Sequence, residues 1–247
     1  MTPDVRVCSD VNEMSLRAAQ AIVRTINDAV RATGKCSFVL SGGSTPRRLY
    51  GLLASQFRRH IPWDRVHLFW GDERYVPAGD PQSNYGMTRQ ALLDHVACPA
   101  ANVHPMLTGF ATADLASRDY EATLRNHFPD DWPRFDLVLL GLGGDGHTAS
   151  LFPGSSALRE KTRWVIAARA PADPPAGLTL TLPALNRAAA VYFLVAGPNK
   201  ADALDHVLAG SADSNLYPAA GVRLENGTVI WWVDREARFG NDSWSVD

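Results

Sequence analysis

The segment FDLVLLGLGGDGHTASLFPG, Phe135 to Gly154, runs from an apolar stretch into a turn holding Gly141, Gly143, Asp145, Gly146 and His147. A carboxylate two residues before an imidazole, among glycines that permit unusual backbone geometry, is the equipment of a proton-transfer site with His147 as the base. The competing reading is a capped turn in which Asp145 binds backbone amides and His147 packs. The glycines also fit G-x-G-x-x-G, the dinucleotide fingerprint, but the context does not. Pro153-Gly154 stops the long helix a pyrophosphate loop must open, and Asp145 puts negative charge inside the anion cradle. Glu160 does not restore the match at the ribose.

Three further stretches carry chemistry. SGGSTP, Ser41, Gly42 and Gly43 through Pro46, offers backbone donors and hydroxyls at a helix start, which suits one phosphate or a face of sugar hydroxyls; it lacks the lysine of a P-loop. WGDERYVP supplies Asp72, Glu73 and Arg74, suited either to a ligand bearing hydroxyls and an anionic group or to a solvated salt-bridge cluster. Lys200, in the first turn of a helix in GPNKADAL, opposes the helix dipole and so favours an anionic ligand. Together these stretches point to a phosphorylated polyol.

The elements that must position them share one grammar. CSFVLS, RVHLFW, FDLVLLG and AAVYFLVAG are short apolar runs, each ending in a polar or glycine-rich turn. Continuous apolar strands separated by helical patterns predict an α/β fold with a parallel sheet covered on both faces, and ligands gather at the carboxyl ends of such strands. Asp10 with Glu13 reads as a capping box opening a helix through Leu16, Ala19, Val23, Ile26 and Val30 to Gly34. Thr45 caps a helix beginning at Pro46, Ser83 caps another, and TADLASRDYEATLRNHF is a third. Asn226-Gly227 between strand-like runs signals a hairpin, and APADPPAG reads as a loop.

With 247 residues, 46% of them hydrophobic, the chain can bury a full core, and one compact domain over residues 1–247 is the expectation. The balance of 26 acidic against 24 basic side chains, without a dense basic cluster, argues against nucleic acid and membrane surfaces as partners. MTPDVRVCSD reads as neither signal peptide nor membrane anchor, so a cytoplasmic protein is expected. Cys8, Cys36 and Cys98 lack C-x-x-C spacing and read as reduced, apolar residues. Seven histidines scattered along the chain, with no H-E-x-x-H, disfavour a metal hydrolase.

Taken together, SGGSTP, FWGDERYVP followed by SNYGM, and the long block from Phe135 to Gly154 resemble the 6-phosphogluconolactonase family, a relative of the glucosamine-6-phosphate deaminases. Weaker matches through LTLTLPALNRA, GPNKADAL and WWVDREA extend the likeness over nearly the whole chain. The deaminases follow the shared Asp-Gly-His turn with an Asn-Glu-Pro segment and carry Asp-Glu-Tyr where this chain has DERY; Thr148 to Pro153 follow the lactonase pattern. The resemblance implies a Rossmann-like three-layer fold with a mostly parallel central sheet. It also implies cofactor-free hydrolysis of 6-phospho-D-glucono-1,5-lactone in the oxidative pentose phosphate pathway.

On that likeness His147 activates water, and Asp145 orients the imidazole or binds sugar hydroxyls. Arg74 binds phosphate or the developing oxyanion; Ser41, Gly42, Gly43 and Lys200 hold the phosphate; and Asp72 serves hydroxyl recognition or an ion-pair network. One departure stands out. The family has an arginine two residues after Pro-Pro, where this chain has Gly177, so Arg169, Arg187 or another basic residue must substitute or a phosphate contact is lost. Gly144 replaces a common proline. A sugar-phosphate isomerase or deaminase and a non-catalytic sugar-phosphate sensor are the alternatives, and a monomer is the expected state.

Overall fold

The computed structural model describes residues 3–171 and 173–239. In chain order its strands are β1 (Asp4–Cys8), β2 (Cys36–Leu40), β3 (Val66–Trp70), β4 (Asp72–Arg74), β5 (Leu137–Gly141), β6 (Val165–Arg169), β7 (Ala176–Leu180), β8 (Ala190–Val195) and β9 (Thr228–Asp234). The helices are α1 (Val11–Thr33), α2 (Ser44–Ala54), α3 (Asn84–Ala91), α4 (Ala113–His127), α5 (Leu182–Leu185), α6 (Ala201–Leu208) and α7 (Arg235–Phe239).

Six strands form the central sheet in the order β1-β9-β8-β5-β2-β3, every pair parallel, with helices flanking it. The apolar runs account for this: all five residues of β2 and the first four of β5 are buried, as strands covered on both faces require. The chain leaves β2 toward β3 on one side and leaves β5 toward β8 on the other. The order therefore reverses between β2 and β5, and a crevice opens there beyond the strand ends.

A second, three-stranded antiparallel sheet, β4-β7-β6, extends from the end of β3. Sequence patterning does not disclose it, because β4 is the charged tripeptide Asp72-Glu73-Arg74. Two buried tyrosines fix the strand ends beside the crevice. Tyr50 of α2 accepts from the Ser41 amide (2.9 Å) and donates to the Ser41 carbonyl (2.8 Å). Tyr120 of α4 accepts from the Trp70 amide at 2.9 Å.

Several local expectations hold. Asp10 caps α1 through the amides of Asn12 and Glu13, Gly34 closes it with φ 83°, and Ser83 and Thr112 cap α3 and α4. The buried stripe of α1 is centred on Met14, Ala18 and Ile22, leaving Leu16, Val23 and Val30 at its margins. α2 begins at Ser44, with Gly43 as its cap and no side chain bonded to its first amides, so Thr45 lies inside the helix instead of capping it.

The hairpin expected at Asn226-Gly227 does not form: β9 pairs in parallel with β8 and β1. Gly227 is needed for a close approach instead. A Cβ there would lie 2.6 Å from the carbonyl oxygens of both Ala188 and Ala189, beside which the chain passes as it enters β9. Gly227→Ala is therefore expected to lower unfolding free energy in urea by about 1–3 kcal/mol. Gly109→Ala, where a Cβ meets nothing within 4 Å, should stay within about 0.5 kcal/mol of the parent.

Candidate active site

The turn after β5 is built around a missing side chain. Gly143 donates its amide to the His147 carbonyl at 2.8 Å, and Gly146 returns a bond to the Gly143 carbonyl at 3.0 Å. The turn thus folds Asp145 and His147 back over the Gly143 Cα. A Cβ on Gly143 would lie 2.0 Å from His147 Nδ1 and 2.5 Å from Asp145 Oδ1. Gly146 takes the left-handed conformation (φ 82°) with Tyr217 packed against it, so it too has no room for a side chain.

Within that turn His147 Nδ1 lies 2.5 Å from Asp145 Oδ1, and the His147 amide donates to the same oxygen at 3.1 Å. Partial burial raises the Asp145 carboxyl, but the backbone and ring hydrogen bonds from His147 and its charge outweigh burial and hold it below the usual carboxylate range. With an ionised acceptor on Nδ1, the neutral ring carries its proton there and leaves the Nε2 lone pair free. Asp145 therefore orients the imidazole and also binds a backbone amide, so elements of both readings of the turn are present.

The residues after the turn are fixed against strain. Ala149 is a non-glycine residue at φ 48°, a conformation that survives only where its neighbours determine it. On one side Thr148 Oγ1 donates to the Gly141 carbonyl at 2.8 Å. On the other, Ser150 bonds Thr179 through its amide and Asp72 Oδ2 through its hydroxyl, at 3.2 and 2.9 Å.

DERY is not a solvated salt-bridge cluster. Asp72 and Glu73 are buried, and instead of Arg74's guanidinium the Glu73 carboxylate binds the start of α3 while the Asp72 carboxylate binds Ser150, just beyond the turn after β5. Glu73 accepts backbone amides from Arg74, Asn84 and Tyr85 at 2.7–2.8 Å and the Ser83 hydroxyl at 3.2 Å. Burial pushes its carboxyl up to about 7 against the pull of those amides. Burial likewise raises Asp72, opposed by the Ser150 hydroxyl and by the charges of Arg74 and His147. Arg74 is exposed and donates to the Gln82 carbonyl at 2.9 Å.

All these elements meet in the crevice between β2 and β5, a cleft of about 240 Å³. Ser41, Gly42 and Gly43 line it from the end of β2, Asp72 and Arg74 from β4, His147 from the turn after β5, and Lys200 from the short 3₁₀ turn leading into α6. Asp145, Gly146 and Glu73 are not part of the lining: Asp145 is attached to it through His147, Gly146 shapes the same turn, and Glu73 lies behind Asp72 and Arg74. The uncapped first turn of α2 opens on the same space, with Ser44 and Thr45 in the wall and no acidic residue in that turn. A helix start of this kind, with free amides and no acidic side chain, has the electrostatics that suit an anion.

Asn84, a lining residue that sequence reasoning passed over, donates to the Asp72 carbonyl at 2.9 Å. Its side chain also occupies the place of a Gly42 Cβ, 1.8 Å from Oδ1. SNYGM marks the segment in the sequence, but its pattern assigns a role only to Ser83.

Gly177 lies directly opposite Arg74 in the β4–β7 ladder, and its Cβ would meet the Glu73 carbonyl at 2.9 Å. Facing pairs in antiparallel strands share one side of the sheet, so the family arginine would have stood beside Arg74, where no side chain stands now. Neither proposed substitute reaches the cleft: Arg169 ends β6 outside the lining, and Arg187 is paired with Glu225 at 3.0 Å. Arg74 and Lys200 are the lining's cations.

A ligand-sized crevice at the switch point of a parallel sheet, walled by polar strand ends, places the chain among α/β proteins that bind at those ends. Residues 9–231 match the family model described as glucosamine-6-phosphate isomerases/6-phosphogluconolactonase. The chain is 42% identical over 240 residues to 6-phosphogluconolactonase of Synechocystis sp., and 41% identical over 244 residues to that of Mycobacterium tuberculosis. Each alignment covers 96% of this chain and 98% of the relative. The structure of 6-phosphogluconolactonase from Leishmania guyanensis superposes with a TM-score of 0.88 at 31% identity, covering 98% of this chain and 100% of the other. The chain belongs to the glucosamine-6-phosphate isomerase/6-phosphogluconolactonase family.

The buried Glu73 makes stability depend on pH in a defined sense. Its carboxyl takes up a proton near pH 7 when folded but near 4.5 when unfolded. Its stabilising contribution is therefore complete below about pH 4.5 and is lost as pH rises to about 7, by up to ~3 kcal/mol. Urea denaturation from pH 4.5 to 7.5 should show the parent losing more stability across that window than Glu73→Gln. The difference separates Glu73 from Asp72, which acts in the same sense; parallel curves would contradict the assignment.

Proposed function

We infer that this chain hydrolyses 6-phospho-D-glucono-1,5-lactone to 6-phospho-D-gluconate, the lactone step of the oxidative pentose phosphate pathway, with His147 as general base. Family membership and relatives named 6-phosphogluconolactonase support the reaction. The observation that carries the mechanism is the Asp145–His147 pair at 2.5 Å, in a cleft that also holds an uncapped helix start and a lysine.

In this reading the phosphate sits at the first turn of α2, near Gly42, Gly43 and Ser44, with Lys200 as its counter-charge. Ser41 adds to the phosphate end, and Asp72 faces the sugar hydroxyls. Asp145 holds the Nδ1 proton, so Nε2 takes a proton from water as its oxygen attacks the C1 carbonyl. The tetrahedral intermediate collapses with cleavage of the bond between C1 and the ring oxygen, and the imidazolium returns its proton to that oxygen. The product is an open-chain acid, whose carboxylate forms by loss of a proton to solvent. Arg74 is the remaining cation for either the phosphate or the oxyanion. Residues 1–247 acting as one domain, as a monomer and in the cytoplasm belong to the same proposal; no described helix is long and apolar enough to cross a membrane.

Freshly generated lactone tests this directly. The parent should hydrolyse it well above the spontaneous rate, and His147→Asn should lower kcat by about 10²–10⁴-fold. No acceleration by the parent at saturating substrate would overturn the lactonase reading, and an active His147→Asn would move the base elsewhere.

Lys200→Ala should raise KM by at least about tenfold, the equivalent of one charge-assisted contact, with a smaller effect on kcat. Arg74→Ala then assigns its role: a rise in KM places it on the phosphate, and a fall in kcat places it on the oxyanion.

A further inference from the structure

Three of the seven histidines that look scattered in the sequence converge in the fold. His67 is the second residue of the edge strand β3, His104 follows the segment bridged to that strand at Leu68 and Val103, and His127 ends α4. The His104 amide donates to the Leu68 carbonyl at 2.9 Å, which pins its loop against β3. One ring nitrogen from each histidine lies within 4.8 Å of the other two, and all three side chains are half-buried. The cluster sits at the far end of β3 from Asp72 and shares no residue with the cleft.

The surroundings are those of a ligand set more than of a core. His67 Nδ1 and His104 Nε2 are 3.2 Å apart. Two nitrogens on one tetrahedral zinc, with bonds of about 2.0–2.1 Å, stand roughly 3.3 Å apart. His127 needs to close by at most roughly 1.5 Å to complete the triangle, within reach of a side-chain rotation. Phe69 stacks on His104 (4.6 Å between ring centres, 13°), and Phe69 and Phe128 meet His127 edge-on at 5.0 and 4.8 Å, forming an apolar wall behind the rings. Burial, mutual proximity and, for His67 and His127, Lys35 lower the tendency of these rings to protonate and favour the neutral form a metal requires. Lys35 also opposes a bound dication and limits affinity.

We propose that His67, His104 and His127 form a three-imidazole site for a zinc-class divalent ion, which clips the edge strand β3 to α4 and to the His104 loop. Three nitrogen donors from separate elements, partly open to solvent, leave a fourth position for water and suit zinc better than the oxygen-seeking magnesium or calcium. The site stands apart from lactone hydrolysis and does not rest on that reading.

The test uses tag-free, chelator-treated full-length protein titrated with zinc chloride. The parent and His147→Asn should each bind one zinc in the micromolar range or tighter at this site. His104→Gln and His127→Gln should each weaken it by at least ~100-fold. Zinc at a hundredfold excess over its dissociation constant should raise the parent's Tm by about 5 °C and leave that of His127→Gln unmoved. Cobalt substitution supplies a readout that does not depend on a variant folding: the parent should show three exchangeable, paramagnetically shifted imidazole N–H resonances. Zinc binding no tighter than millimolar, equal binding by the variants, or fewer than three shifted imidazoles would each overturn the site.

Discussion

The contact on which the site depends is the 2.5 Å approach of His147 Nδ1 to Asp145 Oδ1 above the bare Cα of Gly143. Two residues apart in a turn, these side chains reach each other only because the chain reverses tightly, with Gly143 bonded to His147 through the backbone. Any side chain at Gly143 would occupy the space of the imidazole. The glycines that imitate a dinucleotide fingerprint thus have a different physical cause. Gly143 makes room for a side-chain pair, and Gly146 supplies a positive φ beside Tyr217.

The opposite wall rests on a second constraint, the burial of two acidic residues. Besides the Arg74 amide, Glu73 gathers two amides and a hydroxyl at the start of α3, which sets Asn84 against Gly42 and Asp72. Asp72 in turn holds Ser150, a neighbour of the strained Ala149 and only three residues from His147. The two walls are therefore joined through one carboxylate, and ordering either loop helps to order the other. Burying charge-capable groups is unfavourable unless they are hydrogen-bonded, and here the bonds run to the segments that need positioning.

Legibility in the sequence followed burial. β2, β3, β5 and β8 announce themselves because strands covered on both faces are unbroken apolar runs. Most of the residues lining the cleft could be named because glycines, charges and hydroxyls at the ends of such runs have few structural uses. The small antiparallel sheet was hidden because Asp72 and Glu73, polar by type, are interior by placement. Asn226-Gly227 misled because the local grammar of a hairpin and the need to pass close to two carbonyls call for the same residue. The convergence of His67, His104 and His127 left no local trace, since 36 and 22 residues separate them and only the fold brings them together.

Edge strand β3 and helix α4 show how the two ends of the molecule are mechanically related. Tyr120 bonds Trp70 at the carboxyl end of the strand, while His127 packs on His67 and Phe69 toward its start. His127 lies seven helical steps beyond Tyr120, about 10.5 Å of helix; Trp70 lies three strand steps beyond His67, about 10 Å of strand. The lengths match, so α4 lies antiparallel along β3 and is fastened to it at both ends. Asp72 begins β4 two residues beyond Trp70, and the position of this acid, which links both walls of the cleft, is inherited from that strand–helix pair. The edge of the sheet is thereby stiffened where the chain turns into the site, and an ordered crevice is obtained with only the bridged Val103–His104 segment, and no full strand, beyond β3.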